Sequence, residues 1–507
     1  MRAMAIKWHR RLAWLAGLCA IGWALTGILH PVMVWTSPVA AARMPPLPPL
    51  NLSDARPPAA VLAGKVAAQV TEVRAVDLAG RTFYAVKLPD DPIRRYFDPS
   101  SGAALVDGDR ERAIELARHY LGDGASPLRD ARIVTGFDNE YTPVNRLLPV
   151  WRIELASTSG LVAFVDTGSG RVAAISHGPK RTFQTLFRAI HTLSFIPAEA
   201  DPLRAIVITA LVGTISVSSL FGAAMLVLIR RRTRAPGMRH WHRMLGYATA
   251  VPALAFTLSG LWHLLLGQDG STDAAPKVPA QSLSVADLTT DLAALWAGFA
   301  PDTAPVALSY LATPDGGPLL RLVPPPGGQT MKPAAAAGHE GHEGHGGVEA
   351  TGDHGTHQAR LDLFRGIPTG GAGLLLDVGG TRPVTGNEAA AARALAASLT
   401  GEDIGPDAAT GLVTRFNDDY GFANKRLPVW RVDLREGRAI YVDLADATIA
   451  ARTDTGSRRA GWVFSIFHKG GFMDVIGPVA RDIILMIAAL AIALMSGIGL
   501  TLVARRR

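Results

Sequence analysis

The chain has 507 residues and a formal net charge of +8, and 48% of its residues are apolar. Its single cysteine, Cys19, excludes disulfide bonds and cysteine-held iron–sulfur clusters within the chain. The positive charge is concentrated in arginine clusters beside apolar stretches, so it indicates membrane topology, and no nucleic-acid partner is expected. The stretches that are long and apolar enough to cross a lipid bilayer are 12–34, 204–229, 244–266 and 478–503.

The first stretch follows a charged N-terminus, as the apolar run of a signal peptide does. Its apolar run is too long for a signal peptide, and Pro31 and Trp35 stand where a small-residue cleavage site would be expected. We therefore predict an uncleaved membrane span.

Three basic clusters predict the orientation of the spans. They are Arg2, Lys7, Arg10 and Arg11 before the first span; Arg230, Arg231, Arg232, Arg234, Arg239 and Arg243 between the second and third; and Arg505, Arg506 and Arg507 at the end. Because such clusters stay on the cytoplasmic side, both termini are expected there. The long segments 36–203 and 267–477 are then expected to face outward.

Two of the predicted spans carry the same pair of histidines. A Trp-His-Arg motif contains His9 before the first apolar run and His242 before the third, and the runs end at His30 and His263. The two histidines of each span are 21 residues apart, and each matches its counterpart at an offset of 233. On a helix this spacing is roughly 31 Å, with one histidine near each face of a bilayer and both imidazoles on broadly the same side.

The two outward segments share a second repeat. Each contains the pattern Tyr-x-x-x-Asn-[Arg/Lys]-x-Leu-Pro-Val-Trp-Arg, with Trp151 in the first copy and Trp430 in the second. Alternating residues after each pattern predict antiparallel strands, and an amphipathic stretch before each predicts a helix. We predict α+β modules within 60–180 and 283–456, with 60–107 as a further unit and both tryptophans in the strand cores.

His191 and His468 complete the repeat, because each follows a module and precedes an apolar span. The predicted fold is an α-helical four-span membrane bundle made of two parallel tandem repeats, with an outward α+β module in each. Since each copy crosses the membrane twice, the copies have the same orientation and are related by an axis along the membrane normal.

The repeated histidines are candidate cofactor ligands: His9, His30, His191, His242, His263 and His468. Ionisable residues at matched depths in membrane helices indicate a functional site. Haem b takes neutral imidazoles from facing helices, whereas zinc favours ligands gathered in one small polyhedron. No Cys-x-x-Cys-His motif is present, so haem would be bound without a covalent link.

The candidate ligands divide into an outer set and an inner pair. The outer set (His30, His191, His263 and His468) can hold two haems, or one haem with two spare histidines. The inner pair (His9 and His242) can bridge the two copies with one more haem, or can lie at the interface against propionates or lipid phosphates. One to three haems are therefore expected. Gly27 and Gly260, each three residues before a histidine, either make room for the macrocycle or allow tight helix packing.

Residues 324–358 form a low-complexity insertion. Its histidines recur with glycines and glutamates between them: His339, His342, His345, His354 and His357. Such a tract either binds Fe, Cu, Ni or Zn weakly or is a solvated polar linker.

On these motifs the chain resembles the PepSY-associated transmembrane family, often called iron-regulated membrane proteins, which includes ferric-siderophore reductases. The resemblance covers nearly the whole chain. It rests on Trp-His-Arg at spans one and three, on the Leu-Pro-Val-Trp-Arg pattern in both loops, and on Phe-x-x-x-His before spans two and four. It implies a bacterial inner-membrane protein with periplasmic PepSY modules and haem b, in which the six histidines are the candidate ligands. The histidine-rich insertion is outside the pattern, so copper or nickel remains open as the metal.

The sequence thus predicts a metalloreductase, a haem electron carrier that reduces a metal chelate such as a ferric siderophore at the periplasmic face. A quinol or a cytoplasmic reductant would supply the electron, since no Rossmann or flavin motif is visible. One alternative is a non-enzymatic PepSY membrane protein that binds periplasmic protein or peptide. Another is a metal chaperone that acts through the histidine-rich insertion.

Overall fold

The computed structural model describes residues 2–42, 44–157, 160–196, 201–229, 237–266, 282–298, 304–313, 316–325, 373–378, 387–417, 419–421 and 424–505. The chain forms two compact units. The helical unit comprises Met1–Ser37, Gly178–Ser271 and Asp454–Arg507, and the sheet unit comprises Pro38–His177 and Thr272–Thr453.

The helices are α1 (Arg2–Thr36), α2 (Pro58–Leu62), α3 (Gly108–Leu121), α4 (Gly178–His191), α5 (Asp201–Leu228), α6 (Met238–Leu266), α7 (Leu292–Trp296), α8 (Asn387–Thr400), α9 (Thr455–Val463) and α10 (Pro478–Ala504). The strands are β1 (Gln69–Val70), β2 (Glu72–Leu78), β3 (Arg81–Lys87), β4 (Arg95–Phe97), β5 (Ala104–Leu105), β6 (Leu128–Val134), β7 (Val150–Leu155), β8 (Val162–Asp166), β9 (Arg171–Ser176), β10 (Leu283–Ser284), β11 (Ala307–Thr313), β12 (Gly316–Val323), β13 (Leu374–Leu376), β14 (Thr410–Val413), β15 (Val429–Asp433), β16 (Ala439–Asp443) and β17 (Thr448–Thr453).

Within the described residues, four helices are long and apolar enough to span a membrane, namely α1, α5, α6 and α10. Two of them begin earlier than the apolar pattern predicts, α1 at Arg2 instead of residue 12 and α6 at Met238 instead of residue 244. The reason is that an apolar window stops at the first charged residues, while the helix continues through them into the polar interface. The Trp-His-Arg motifs therefore lie on the membrane helices themselves.

The helical unit is a bundle in which α1 and α6 each pack against both α5 and α10. The buried centre of the bundle is formed by Ala16, Ala20, Ile215, Ala253 and Ile492. Ala20 and Ala253 are 233 residues apart, and Ile215 and Ile492 are 277 apart. Small residues on α1 and α6 facing isoleucines on α5 and α10 allow close helix contact. Outside this bundle, α4 packs on α1, while α9 and the π-helical turn that follows it pack on α6.

The sheet unit contains two four-stranded antiparallel sheets with the same strand order, β6-β7-β8-β9 and β14-β15-β16-β17. The first sheet packs against α3 and the second against α8. Trp151 Nε1 donates a hydrogen bond to Asp109 Oδ2 on α3 (2.7 Å), and Trp430 Nε1 donates to Glu388 Oε2 on α8 (2.9 Å). The predicted role of both tryptophans as anchors of the strand cores agrees with these contacts.

A seven-stranded sheet joins the two outward segments of the chain. Its order is β13-β12-β11-β2-β3-β4-β5, and the junction is the antiparallel pair β11–β2. The modules drawn from the sequence at 60–180 and 283–456 therefore share a sheet, and 60–107 is part of it instead of a separate unit. Strand alternation along a sequence indicates that a strand forms and which face is buried, but it does not indicate which edge that strand pairs with.

Candidate cofactor site in the helical unit

A cavity of about 1440 Å³ lies within the helical unit. Every candidate histidine of the membrane repeat lines it: His9, His30, His191, His242, His263 and His468. Its remaining lining is mainly apolar, with alanines and glycines from α1 and α6 in its middle part. The volume exceeds the roughly 300–1,000 Å³ usual for a single small-molecule pocket.

The inner pair faces itself across the bundle. The ring centroids of His9 and His242 are 6.3 Å apart, and the ring planes are inclined by 46°. His9 Nδ1 lies 2.9 Å from the carbonyl oxygen of Ser218 on α5, and His242 Nδ1 lies 3.0 Å from that of Met495 on α10. Because a carbonyl oxygen only accepts, each Nδ1 is the protonated nitrogen, and each Nε2 keeps its lone pair.

This separation suits a shared metal ion. An imidazole nitrogen bonds a metal at about 2 Å, so two imidazoles on opposite sides of one ion have centroids about 6 Å apart. Hydrogen bonding of the second ring nitrogen to a backbone carbonyl is the usual way in which a protein orients a histidine ligand. The inner pair shows both features.

Two members of the outer set are held in the same way. His191 Nδ1 lies 3.0 Å from Thr26 Oγ1, whose own hydrogen goes to the carbonyl oxygen of Gly22 at 2.7 Å. The hydroxyl can therefore only accept from the imidazole, which leaves His191 Nε2 with its lone pair.

His468 lies in the π-helical turn Phe464–His468. Its Nδ1 is 3.1 Å from the carbonyl oxygen of Phe256 and 3.3 Å from Ser259 Oγ, and the Ser259 hydroxyl donates to Ala255. His468 Nδ1 therefore also carries the hydrogen, as at His191, and Nε2 keeps its lone pair.

The other two outer histidines, His30 and His263, have no ring-nitrogen hydrogen bond to any described residue. Each ring lies beside a phenylalanine, His30 with its centroid 6.2 Å from Phe187 and His263 4.5 Å from Phe464. Phe187 stacks on His191 at 4.5 Å, and Phe464 stacks on His468 at 4.4 Å. The outer set thus consists of two His–Phe–His groups, one from each copy.

The protonation of the outer set favours metal binding. Burial, aided by the nearby His468 and His30, lowers the pKa of His191 to about 4. Burial also lowers the pKa of His468 to about 4, with Lys469 adding to the effect. Both imidazoles are therefore neutral at neutral pH, which is the form that binds a metal.

Several contacts at the site were not anticipated from the sequence: Thr26, Ser259, Gly222, Gly499 and the carbonyls of Ser218 and Met495. They also come in matched pairs. Thr26 and Ser259 are 233 apart, while Ser218 and Met495, and likewise Gly222 and Gly499, are 277 apart. The offset of 277 between His191 and His468 was the available signal, because extending it into the following spans aligns both glycines.

The glycines predicted to serve the cofactor differ in their surroundings. A Cβ on Gly27 would meet nothing within 4 Å, and one on Gly260 would be 3.7 Å from His468 Cε1. Neither glycine is required for close helix packing, which was the alternative weighed for them.

The predicted metal ligands of the insertion, His339, His342, His345, His354 and His357, lie outside the described residues. Within the described residues, no group of three or more His, Cys, Asp or Glu side chains could hold a metal ion. This argues against a zinc-type polyhedron there. It does not bear on haem, whose iron needs one or two protein ligands.

The residues of the cavity fit a haem. Paired Nε2 lone pairs, a mainly apolar wall and a volume above that of a single ligand are what a bundle provides for this group. Lys469 and Arg481 line the cavity near the outer set, and Arg10, Arg239 and Arg243 line it near the inner pair. These cations could take the propionates at either end.

Four apolar helices around a histidine-lined cavity define a multi-pass membrane protein of the helical-bundle class. The family model described as the PepSY-associated TM region matches residues 6–506. The chain therefore belongs to the PepSY-associated transmembrane family, as its motifs indicated. Comparison with curated proteins and with solved structures gives no match.

Proposed function

We propose that this protein is a b-type haem electron-transfer protein of the bacterial inner membrane that reduces chelated Fe(III), such as a ferric siderophore, at the periplasmic face. The observation that carries the proposal is the single cavity lined by all six repeated histidines, four of which are oriented by hydrogen bonds at Nδ1. One to three haems are proposed, of which the inner pair holds one.

The proposed architecture is that of two parallel tandem repeats. The support is that matched residues make matched contacts: His9 with Ser218 and His242 with Met495, at offsets of 233 and 277. The α+β sheets of the sheet unit are proposed to be the PepSY-type modules of the two copies. By the positive-inside rule both termini are cytoplasmic, and the outer set lies toward the periplasm.

The protein's own groups divide the work of electron transfer. Ser218 and Met495 hold the inner imidazoles in the Nδ1–H tautomer, so that His9 and His242 present Nε2 to one iron. Thr26 and Ser259 do the same for His191 and His468 at the outer end. When bound, haem supplies a centre that gains and loses one electron. The apolar wall excludes water from the space between the two sets.

The chemistry at the outer end is a one-electron reduction of the chelate. Fe(III) is held by hard oxygen ligands, and one electron converts it to the softer Fe(II), which those ligands hold less tightly. The electron comes from a quinol or from a cytoplasmic reductant. A role for copper or nickel at the histidine-rich insertion remains a prediction from the sequence.

The reduced-minus-oxidised absorption spectrum tests the proposal. Protein purified from haem-replete cells is expected to show a b-type Soret and α-band, with a haem-to-protein ratio between one and three. His9→Ala and His242→Ala should each lower that ratio by about one, whereas His240→Ala, on the same helix but outside the cavity lining, should not. Reduced protein in liposomes should then convert a ferric hydroxamate to Fe(II), measured with a Fe(II)-specific dye.

A colourless preparation that takes up no added haemin would overturn the proposal. The family's alternative role, a non-enzymatic PepSY membrane protein that binds periplasmic protein or metal, would then stand in its place.

A further inference from the structure

Gly222 on α5 and Gly499 on α10 lie where the inner histidine rings meet these helices. A Cβ on Gly222 would stand 3.2 Å from His9 Cε1 and 3.5 Å from His9 Nδ1. A Cβ on Gly499 would stand 2.9 Å from His242 Cε1 and 3.4 Å from its Nδ1. Since carbon atoms in contact are normally about 3.5–4 Å apart, the inner imidazoles occupy the space that side chains at these positions would take.

Each glycine also lies four residues after the carbonyl that its histidine uses. His9 Nδ1 donates to Ser218, four residues before Gly222, and His242 Nδ1 donates to Met495, four residues before Gly499. On a helix, a side chain leans toward the N-terminus and covers the turn four residues earlier. A glycine there leaves the carbonyl oxygen open to a donor from a neighbouring helix.

General closeness of the helices does not explain the two positions. A Cβ on Gly213 of α5 or on Gly497 of α10 would meet nothing within 4 Å. Gly497 is only two residues from Gly499, so the crowding is specific to the face that receives the histidine.

Building on the haem proposal, we infer that Gly222 and Gly499 are positioning residues for the inner metal centre. Their missing side chains let His9 and His242 press against α5 and α10, donate Nδ1–H to the exposed carbonyls, and present Nε2 to one shared iron. This role belongs to neither ligand, and it is met twice by residues 277 apart.

Gly→Ala variants test the inference with a matched control on each helix. Gly499→Ala and Gly222→Ala are compared with Gly497→Ala and Gly213→Ala, which make the same chemical change where a Cβ meets open space. Full-length apoprotein in detergent is titrated with haemin, and the fraction of low-spin, bis-imidazole haem is read from its absorption and electron paramagnetic resonance spectra. Gly499→Ala should bind the inner haem at least about tenfold more weakly, with part of it high-spin. Gly222→Ala should show a smaller effect, because its contact is longer.

Haemin held by the outer set in the same sample reports that each variant is folded. If Gly499→Ala and Gly222→Ala titrate like their controls, with the same low-spin content, the positioning role is wrong while the haem proposal stands. If the unsubstituted protein takes up no haemin, the haem proposal and this inference both fall.

Discussion

At the scale of single residues, the arrangement around the cavity depends on what the Nδ1 atom of each imidazole contacts. His9 and His242 donate to backbone carbonyls, and His191 donates to a threonine hydroxyl. A hydroxyl is an unambiguous acceptor only when its own hydrogen is already used. At Thr26 that condition is met by the carbonyl of Gly22, in the preceding turn of the same helix.

Thr26→Val tests this hydroxyl with almost no change of shape. The variant removes the acceptor of His191 Nδ1–H, so the imidazole loses its fixed tautomer, and haem binding by the outer set should weaken about 10- to 100-fold. Thr36→Val on the same helix is the control, because Thr36 Oγ1 donates to Val32 and its side chain is exposed. Haemin titration of both variants measures the difference. Equal affinities in the two variants would contradict a role for Thr26 in orienting the ligand.

At the scale of elements, the sheet unit is held together by buried ion pairs between strands and turns. Glu72 on β2 pairs with Arg74 and Arg94 at 2.5 and 3.0 Å. Arg74 in turn donates to the carbonyl of Gly168, in the β8–β9 turn, and pairs with Asp446, in the β16–β17 turn. The seven-stranded sheet is thereby bound to both four-stranded sheets. Buried charges of this kind are tolerated only because each is paired.

Glu72→Gln should lower the free energy of unfolding by about 3–5 kcal/mol, because it leaves two buried guanidinium groups short of a partner. Arg81→Ala is the control. It breaks a pair with Asp98 in which the Arg81 side chain is 67% exposed, and such pairs contribute at most about 1 kcal/mol. Chemical denaturation followed by tryptophan fluorescence measures both. A Glu72→Gln variant as stable as Arg81→Ala would show that the network contributes little.

The same carboxylate gives the sheet unit an acid dependence. Burial alone would raise the pKa of Glu72, but Arg74 and Arg94 lower it from the ordinary 4.5 to about 2. Because the pKa is lowered on folding, the ionised carboxylate stabilises the fold above pH 4.5, and this contribution is lost as the pH falls toward 2. Glu72→Gln should therefore be less sensitive to acid than the unsubstituted protein across that window.

At the scale of the whole molecule, the arrangement of charge along the chain predicts how it lies in the membrane. Basic clusters precede α1, separate the second and third spans and end the chain, while the residues of the sheet unit follow α1 and α6. The positive-inside rule then orients all four spans. The inner pair, next to the arginines, is on the side from which electrons would come.

Single-cysteine labelling checks this orientation, because the chain has only Cys19 to remove. In a Cys19→Ser background, Val106→Cys in the sheet unit and Met4→Cys near the N-terminus both place the thiol at exposed positions. A membrane-impermeant maleimide should label Val106→Cys in intact spheroplasts, and should label Met4→Cys only after permeabilisation. The reverse pattern would invert the proposed topology.

Much of the candidate site could be predicted from the sequence. The six histidines were identified from repeated motifs, and all of them line the cavity. Their acceptors were not identified, since Ser218 and Met495 act through backbone carbonyls that leave no mark in side-chain chemistry. Gly222 and Gly499 look like ordinary small residues of a membrane helix until the ring that lies against each is known.

The sequence by itself determined the four spans, their direction and the duplicated histidines, because apolar length, arginine placement and repeated motifs are local properties of the chain. Only the tertiary structure decided that His9 faces His242 across the bundle and that β2 pairs with β11. Both depend on which surfaces meet after folding. A contact between residues more than 200 positions apart is set by the packing of whole helices and sheets, and neither residue's neighbours in sequence encode it.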